Sequence, residues 1–433
     1  MNTNSNHTTE FPSAKARFRR AERLQMEWRE YCLNDCVPAE HPVRMIWKYV
    51  QSLDLSPLLQ DIKAVEGHVG RDATDPAILM SLWLYATING VGSARQLAKL
   101  CTESDPYKWI CGGVGVNRDL LARFRTDNTE FLDTLLADTI ATLMHQKVVT
   151  LKKVAQDGMR VRANAGSSSF RREPTLKKCQ QEAAEQVRKL REELDDDSAS
   201  SSKRETAAKA SAAQEREARV NAALENLKEL QQQKEKRKKG SGKEARCSTT
   251  DPEARNMRMG DGGTRPAFNV QFATDGDTRI IVKADVSNNG SDAGQMSPLH
   301  GDVCQAHGVA GAYLVDGGFP TIADVTQMEK RGTRVIGPIP RASELIKKGV
   351  DPHAAGPKDT PEMSAFRERM ATDEAKLLLK ERPSIAEFPN AVCRNHGLHQ
   401  FPVRGLAKCY AVTMWHVIAH NFQRMLNLGV LPI

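Results

Sequence analysis

Three acids stand far apart in the chain where a carboxylate could do chemistry: Asp157, Asp316 and Glu387. Asp157 lies in VAQDGMRVRANAG, residues 154–166, where Val154, Met159 and Val161 alternate with Arg160 and Arg162 as in a strand. Strands are depleted in Asp, so this one needs a reason. Asp316 ends the short apolar run GAYLVDGGF, and the two glycines after it leave its carboxylate accessible. Glu387 sits in the late helical stretch RPSIAEFPNAVCRNHG. Singly, each has a plain reading: Asp-Gly is commonly a turn, and a helical Glu commonly faces solvent. Together they form an oxygen donor set for hard divalent cations. Phosphodiester hydrolysis or transfer is helped by two Mg²⁺ ions about 3.5–4 Å apart, one activating the attacking oxygen and one stabilising the leaving oxygen. Three carboxylates at one sheet edge could hold such a pair and leave positions open for water and phosphate.

Rival constellations are weaker in spacing. Cys393, His396, His399 and Cys409 imitate a zinc set, but irregularly. His416 and His420 stand one turn apart on an apolar helix and read as core or helix-face histidines. Asp285 and Asp292 are rival acids, Asp292 reading better as a helix start, and Glu381 lies close enough to Glu387 to be confused with it. No GxxxxGK[ST] loop occurs, so ATP dependence is not indicated.

The elements that must position these acids follow from patterning. The 433 residues allow two to four domains. Net charge is +8, which favours a polyanion partner. The nine cysteines include no CxxC pair, as expected of reduced intracellular thiols. The first residues have no signal pattern, and no apolar run approaches the ~20 residues of a membrane span. A soluble, cytoplasmic protein with no membrane partner is therefore expected. Residues 1–24 read as a flexible basic N-terminus. Residues 25–146 read as a helical domain of short helices and tight turns, with Asp75, Ser93, Asp105 and Asn117 as caps and Gly90 as a stop. Arg95, Lys99, Arg123 and Arg125 on these helices suit DNA contact, and an ordinary helical domain with a basic surface is the alternative. Strand character begins at Val148. Residues 167–255 turn Lys-, Glu- and Ala-rich. Val187, Leu190 and Leu194 share one face, and Val220, Leu224 and Leu227 another, around the polar break DDDSASSS. This predicts an exposed, coiled-coil-like antiparallel hairpin of helices. Residues 256–426 then read strand, strand, helix, strand, helix, strand, helix, with Pro383 breaking its helix. Residues 427–433 form a tail. The fold class expected is α/β: one mixed sheet (residues 147–166 and 256–426) flanked by helices, with an all-α N-terminal domain and an inserted helical hairpin.

With these residues in place, the chain resembles a bacterial insertion-sequence transposase of the DDE type, over nearly its whole length. DPAILMSLWLYATINGVGSARQLAKLC and NRDLLARFR resemble the helical N-terminal transposase domain. VAQDGMRVRANAG resembles the first-aspartate strand, DGGTRPAFNVQFATDGDTRIIVKADVSNNGSD the strand pair after it, LVDGGF the second-aspartate strand, and RPSIAEFPNAVCRNHGLHQFPVRGLAKC the third-acid segment. The resemblance implies a ribonuclease-H-like core. It implies Asp157, Asp316 and Glu387 as catalytic, metal-binding acids, with two Mg²⁺ ions or Mn²⁺ in their place. Arg382 and Arg394 would be DNA-contacting residues. It implies cleavage at element ends by water, then attack of the freed 3′-hydroxyl on target DNA. Partners implied are double-stranded DNA, as terminal repeats and target site, and a second copy in a synaptic homodimer at the nucleoid. The alternatives are a nuclease without strand transfer and a decayed or repurposed DNA-binding protein. The chain departs from the pattern at Gly318, where an aromatic is common, at Leu379, where a Tyr is common, and at Pro383.

Overall fold

The computed structural model describes residues 26, 31–60, 62, 72–196, 200–357 and 359–431. The basic N-terminus expected at 1–24 lies outside these, as do residues 197–199 of the polar break. Among the described residues no helix is long and apolar enough to cross a membrane.

The chain opens with helices α1 (Pro42–Gln51), α2 (Ser56–Leu59), α3 (Pro76–Ile88), α4 (Ala94–Glu103), α5 (Asp105–Cys111), α6 (Arg118–Asp127) and α7 (Thr129–His145). Local chemistry sets their starts. The side chains of Asp75, Ser93 and Asn117 accept from the backbone N–H groups of Ala77, Gln96 and Leu120, satisfying donors that a first turn leaves orphaned. Gly90, with φ +71°, ends the α3 turn where a Cβ would be strained. Asp105 is not the cap of α5: Ser104 holds that position and Asp105 lies in the first turn. Helix α3 is buried from Pro76 to Thr87, so it is the centre of this unit rather than a surface helix.

Strand β1 (Lys153–Arg162) begins five residues later than the expected onset at Val148. Lys147 and Leu151 adopt positive φ, which a regular strand excludes, so pairing starts only beyond them. Short strands β2 (Phe170–Arg171) and β3 (Cys247–Ser248) pair antiparallel. They form a neck for α8 (Glu173–Asp196) and α9 (Ser200–Arg237). These helices run antiparallel, since Gln231 meets Glu173, Asn221 meets Gln180 and Arg216 meets Gln186. Their own small core is Leu176, Ala223, Leu227, Ala245 and Cys247.

The rest is β4 (Arg255–Arg258), β5 (Thr264–Asp275), β6 (Ile281–Ser287), α10 (Met296–His307), β7 (Ala312–Leu314), α11 (Ile322–Lys330), β8 (Arg334–Ile336), α12 (Ala342–Lys347), α13 (Pro361–Ala371), α14 (Asp373–Asn395) and α15 (Leu406–Leu428). β1 is central. It pairs antiparallel with β5, which pairs with β6 and β4; on its other side it pairs parallel with β7, and β7 with β8. Helix α11 supplies the crossover that two parallel neighbours need. This is the mixed α/β sheet expected, with β4 as an additional short strand. Pro383 does not break its helix: α14 runs unbroken through Pro383 and Pro389. Arg382, Ile385, Ala386 and Asn390 are buried on either side, so packing outweighs the lost backbone bond.

Helix α15 joins sheet and helical domain in one core. Trp415 packs near Trp83 and Phe124, Phe422 packs on Tyr49, and the Asn421 side chain bonds both backbone groups of Ile281 on β6.

Candidate active site

Alternation along β1 sends Asp157 towards α14 and its neighbours Gln156, Gly158 and Arg160 to the opposite face. Asp157–Gly158 is therefore mid-strand and not a turn. Arg382 Nη2 donates to Asp157 Oδ1 at 2.7 Å, Asn390 Nδ2 to Oδ2 at 2.9 Å, and the Gly158 N–H to Oδ1 at 3.0 Å. The same Arg382 Nη2 stands 3.9 Å from Asp316 Oδ2. Asp316 follows β7, the parallel neighbour of β1, and the Gly318 N–H donates to its Oδ1 at 2.8 Å. Thus two of the three expected acids meet around one guanidinium. Asp157 and Arg382 are deeply placed, with side chains 16% and 7% exposed, whereas Asp316 is 47% exposed. Burial holds the Asp157 carboxyl above its ordinary range. The Asp316 charge adds to the rise, and Arg382 opposes it.

Glu387 is exposed on α14, three residues before Asn390. That spacing places the two Cβ atoms about 5–6 Å apart, but Glu387 is exposed where Asn390 is buried against Asp157, and among the described residues no hydrogen bond or ion pair joins Glu387 to Asp157 or Asp316. Among the described residues, no group of three or more His, Cys, Asp or Glu is gathered as a metal site. In donor chemistry the residues do fit a hard cation. Two carboxylates converge on a single positive charge, and Asn390 Oδ1 is buried beside them without a partner among the described residues. Glu381 is engaged elsewhere, with Lys153 at 2.9 Å.

The opposite face of β1 holds a second polar network, centred on Asp292. Asp292 takes a two-pronged contact from Arg160 at 3.0 and 2.9 Å, and further donors from Asn269 and Gln271. It does not start a helix: α10 begins at Met296, with Gln295 at its cap position. A Cβ on Gly158 would lie 2.4 Å from both Asp292 Oδ1 and Gln271 Nε2, so only glycine admits this network. Asp292 Oδ2 is also 4.0 Å from where a Cβ on Gly318 would stand, beside Asp316. The alternation of Asn269 and Gln271 within the buried run AFNVQFAT is the sequence signal of a polar inner face.

The basic residues divide. Arg95, Lys99, Arg123 and Arg394 are exposed, Lys99 facing Glu103 at 3.5 Å. Arg125 is buried, with its guanidinium 4.8 Å over the Trp83 ring and its Nη1 donating to the Gly92 carbonyl. It is not on the exposed surface of the helical domain, because α15 packs over α6. Arg382 is likewise turned inward, towards Asp157. Cys393 and Cys409 are buried free thiols. His416 and His420 are core residues, His420 Nε2 lying 2.8 Å from the Arg279 carbonyl.

Residues 31–127 match a family described as Transposase domain (DUF772). The match supports a transposase family, and with it a DNA-processing enzyme. Neither the comparison with curated proteins nor that with solved structures gives a match.

Proposed function

We propose that the protein is a DNA transposase of the DDE type with a ribonuclease-H-like core, cutting DNA at the ends of an insertion sequence and joining those ends to target DNA. The observation that carries the reading is the convergence of Asp157 and Asp316 on Arg382, from two neighbouring parallel strands, across a large part of the chain. Its support includes the strand order, with β1 flanked by antiparallel β5 and parallel β7. The transposase-domain match to residues 31–127 supports it independently.

Asp157, Asp316 and Glu387 would hold Mg²⁺ or Mn²⁺, which when bound activates the attacking oxygen and offsets charge at the leaving one. Asp157 is fixed for that role by Arg382, Asn390 and the rigid strand beneath it. Glu387, exposed on α14 one turn from Asn390, would complete the set. In the first step a water oxygen forms a bond to phosphorus and the bond to the 3′ oxygen breaks. In the second, that 3′-hydroxyl forms the new bond to a target phosphorus and the target's own 3′ oxygen leaves. Exposed Arg95, Lys99, Arg123 and Arg394 supply phosphate contacts whose strength falls with salt. Two copies synapse the two ends, with the α8–α9 hairpin available as a contact between them.

The test supplies duplex DNA carrying the element's ends, a target plasmid and Mg²⁺. Cleavage with joining, lost in Asp157→Ala, supports the reading. Cleavage without joining leaves a nuclease, and binding without cleavage leaves a non-catalytic DNA-binding protein.

A further inference from the structure

Arg125 raises a problem of charge. It is 7% exposed, and no carboxylate pairs with it among the described residues. Its contacts are the Gly92 carbonyl and the Trp83 ring, and a buried cation ordinarily has a counter-ion. It lines a cavity of about 370 Å³ between the Gly90–Ser93 turn and the 396–402 loop. That cavity is also lined by His396, His399 and His416, and by no Asp or Glu. Three buried polar atoms among these residues have no partner among the described residues: Arg125 Nε, His396 Nδ1 and His416 Nδ1. Gly90, Gly92, Ser93, His399 and Gln400 on its walls are exposed, so the cavity opens to solvent. Ser93 leads into α4, which carries the exposed Arg95 and Lys99.

We propose that this cavity is an oxyanion site that takes a phosphate group, with Arg125 as its cation and His396 and His416 as hydrogen-bonding partners. The volume is that of a small-ligand pocket and holds a phosphate with part of a sugar. Phosphate oxygens are strong acceptors for guanidinium and imidazole N–H groups. The phosphate comes either from a DNA strand or from a free ion, and the chemistry of recognition is the same. The inference concerns residues apart from Asp157 and Asp316 and stands whether or not the chain cleaves DNA.

Inorganic phosphate is titrated into the full-length protein at fixed ionic strength, with chloride as the comparison, and thermal unfolding is followed. Wild type should show a saturable rise of a few degrees at a hundredfold excess over Kd. R125M should keep or raise its unfolding temperature without phosphate and lose the rise. If R125M does not fold, H396Q at its half-buried position should weaken phosphate about tenfold. A 5′-phosphorylated oligonucleotide binding at least tenfold more tightly than phosphate assigns the site to DNA, and equal binding assigns it to the free ion. An equal rise in wild type and R125M, a phosphate affinity unchanged in H396Q, or a wild-type response no larger than with chloride overturns the proposal.

Discussion

Arg382 Nη2 lies 2.7 Å from Asp157 Oδ1, joining residues 225 positions apart in the chain. This pair ties α14 to the central strand, and both partners are largely buried. Removing only the cation leaves an uncompensated carboxylate in the interior. Arg382→Met should therefore destabilise the fold by about 3–5 kcal/mol. Asp157→Asn combined with Arg382→Met should recover most of that loss, because an uncharged pair needs no compensation. Urea unfolding of both single variants and the double variant measures the coupling. Strictly additive losses would show that the pair does not act as a unit.

Gly158 serves the opposite face of the same strand. A methyl group there would collide with Asp292 and Gln271. Gly158→Ala should cost about 1–3 kcal/mol, as overpacking does, and should displace Asp292 from Arg160. If instead Ala raises the denaturation midpoint, as a glycine replaced in an open strand would, the close packing described for this face is wrong.

The inserted helices have a core of their own and leave the sheet through the two-residue strands β2 and β3. The Cα atoms of such antiparallel partners stand about 4.5–5.5 Å apart. Replacing residues 172–246 with a four-residue Gly-Ser linker should therefore preserve cooperative unfolding, within a few degrees of the full chain. Loss of the cooperative transition would mean that the hairpin is part of the main core.

Three buried histidines set an acid limit on stability. Burial lowers His416 to about 3, with the charges of His396, Arg125 and His399 adding to the effect. Burial lowers His420 and His300 to about 4. In the unfolded chain each titrates near about 6.5. The unfolded state therefore takes up protons first, and stability present above pH ~6.5 is lost as pH falls towards 4. Urea midpoints measured from pH 8 to 4.5 should fall below 6.5, and His416→Gln should flatten the slope. A midpoint unchanged across that range would contradict the buried, neutral placement.

What could be read from the sequence was mostly local. The caps Asp75, Ser93 and Asn117 act within three residues of themselves, so residue type and position suffice. The alternating strands and the striped hairpin follow from periodicity in the same way. What failed depended on distant partners. Pro383 stays helical because α14 is packed on both sides of it, and Asp292 faces Arg160 because Gly158 clears the way. Arg125 reads as a surface cation on α6 until α15, about 290 residues later in the fold's own bonding from Trp415 to the Arg125 carbonyl, covers it. Asn390 had a weaker signal, standing one turn from Glu387 on the face that meets β1.

The most direct measurement is a strand-transfer assay with end-bearing duplex, target plasmid and Mg²⁺, comparing wild type with D157N, D316N and E387Q. Wild type should cut and join, and each substitution should remove both steps, because each takes an oxygen ligand from the metal pair. Full activity in D157N, D316N or E387Q would contradict the assignment of these acids to one site.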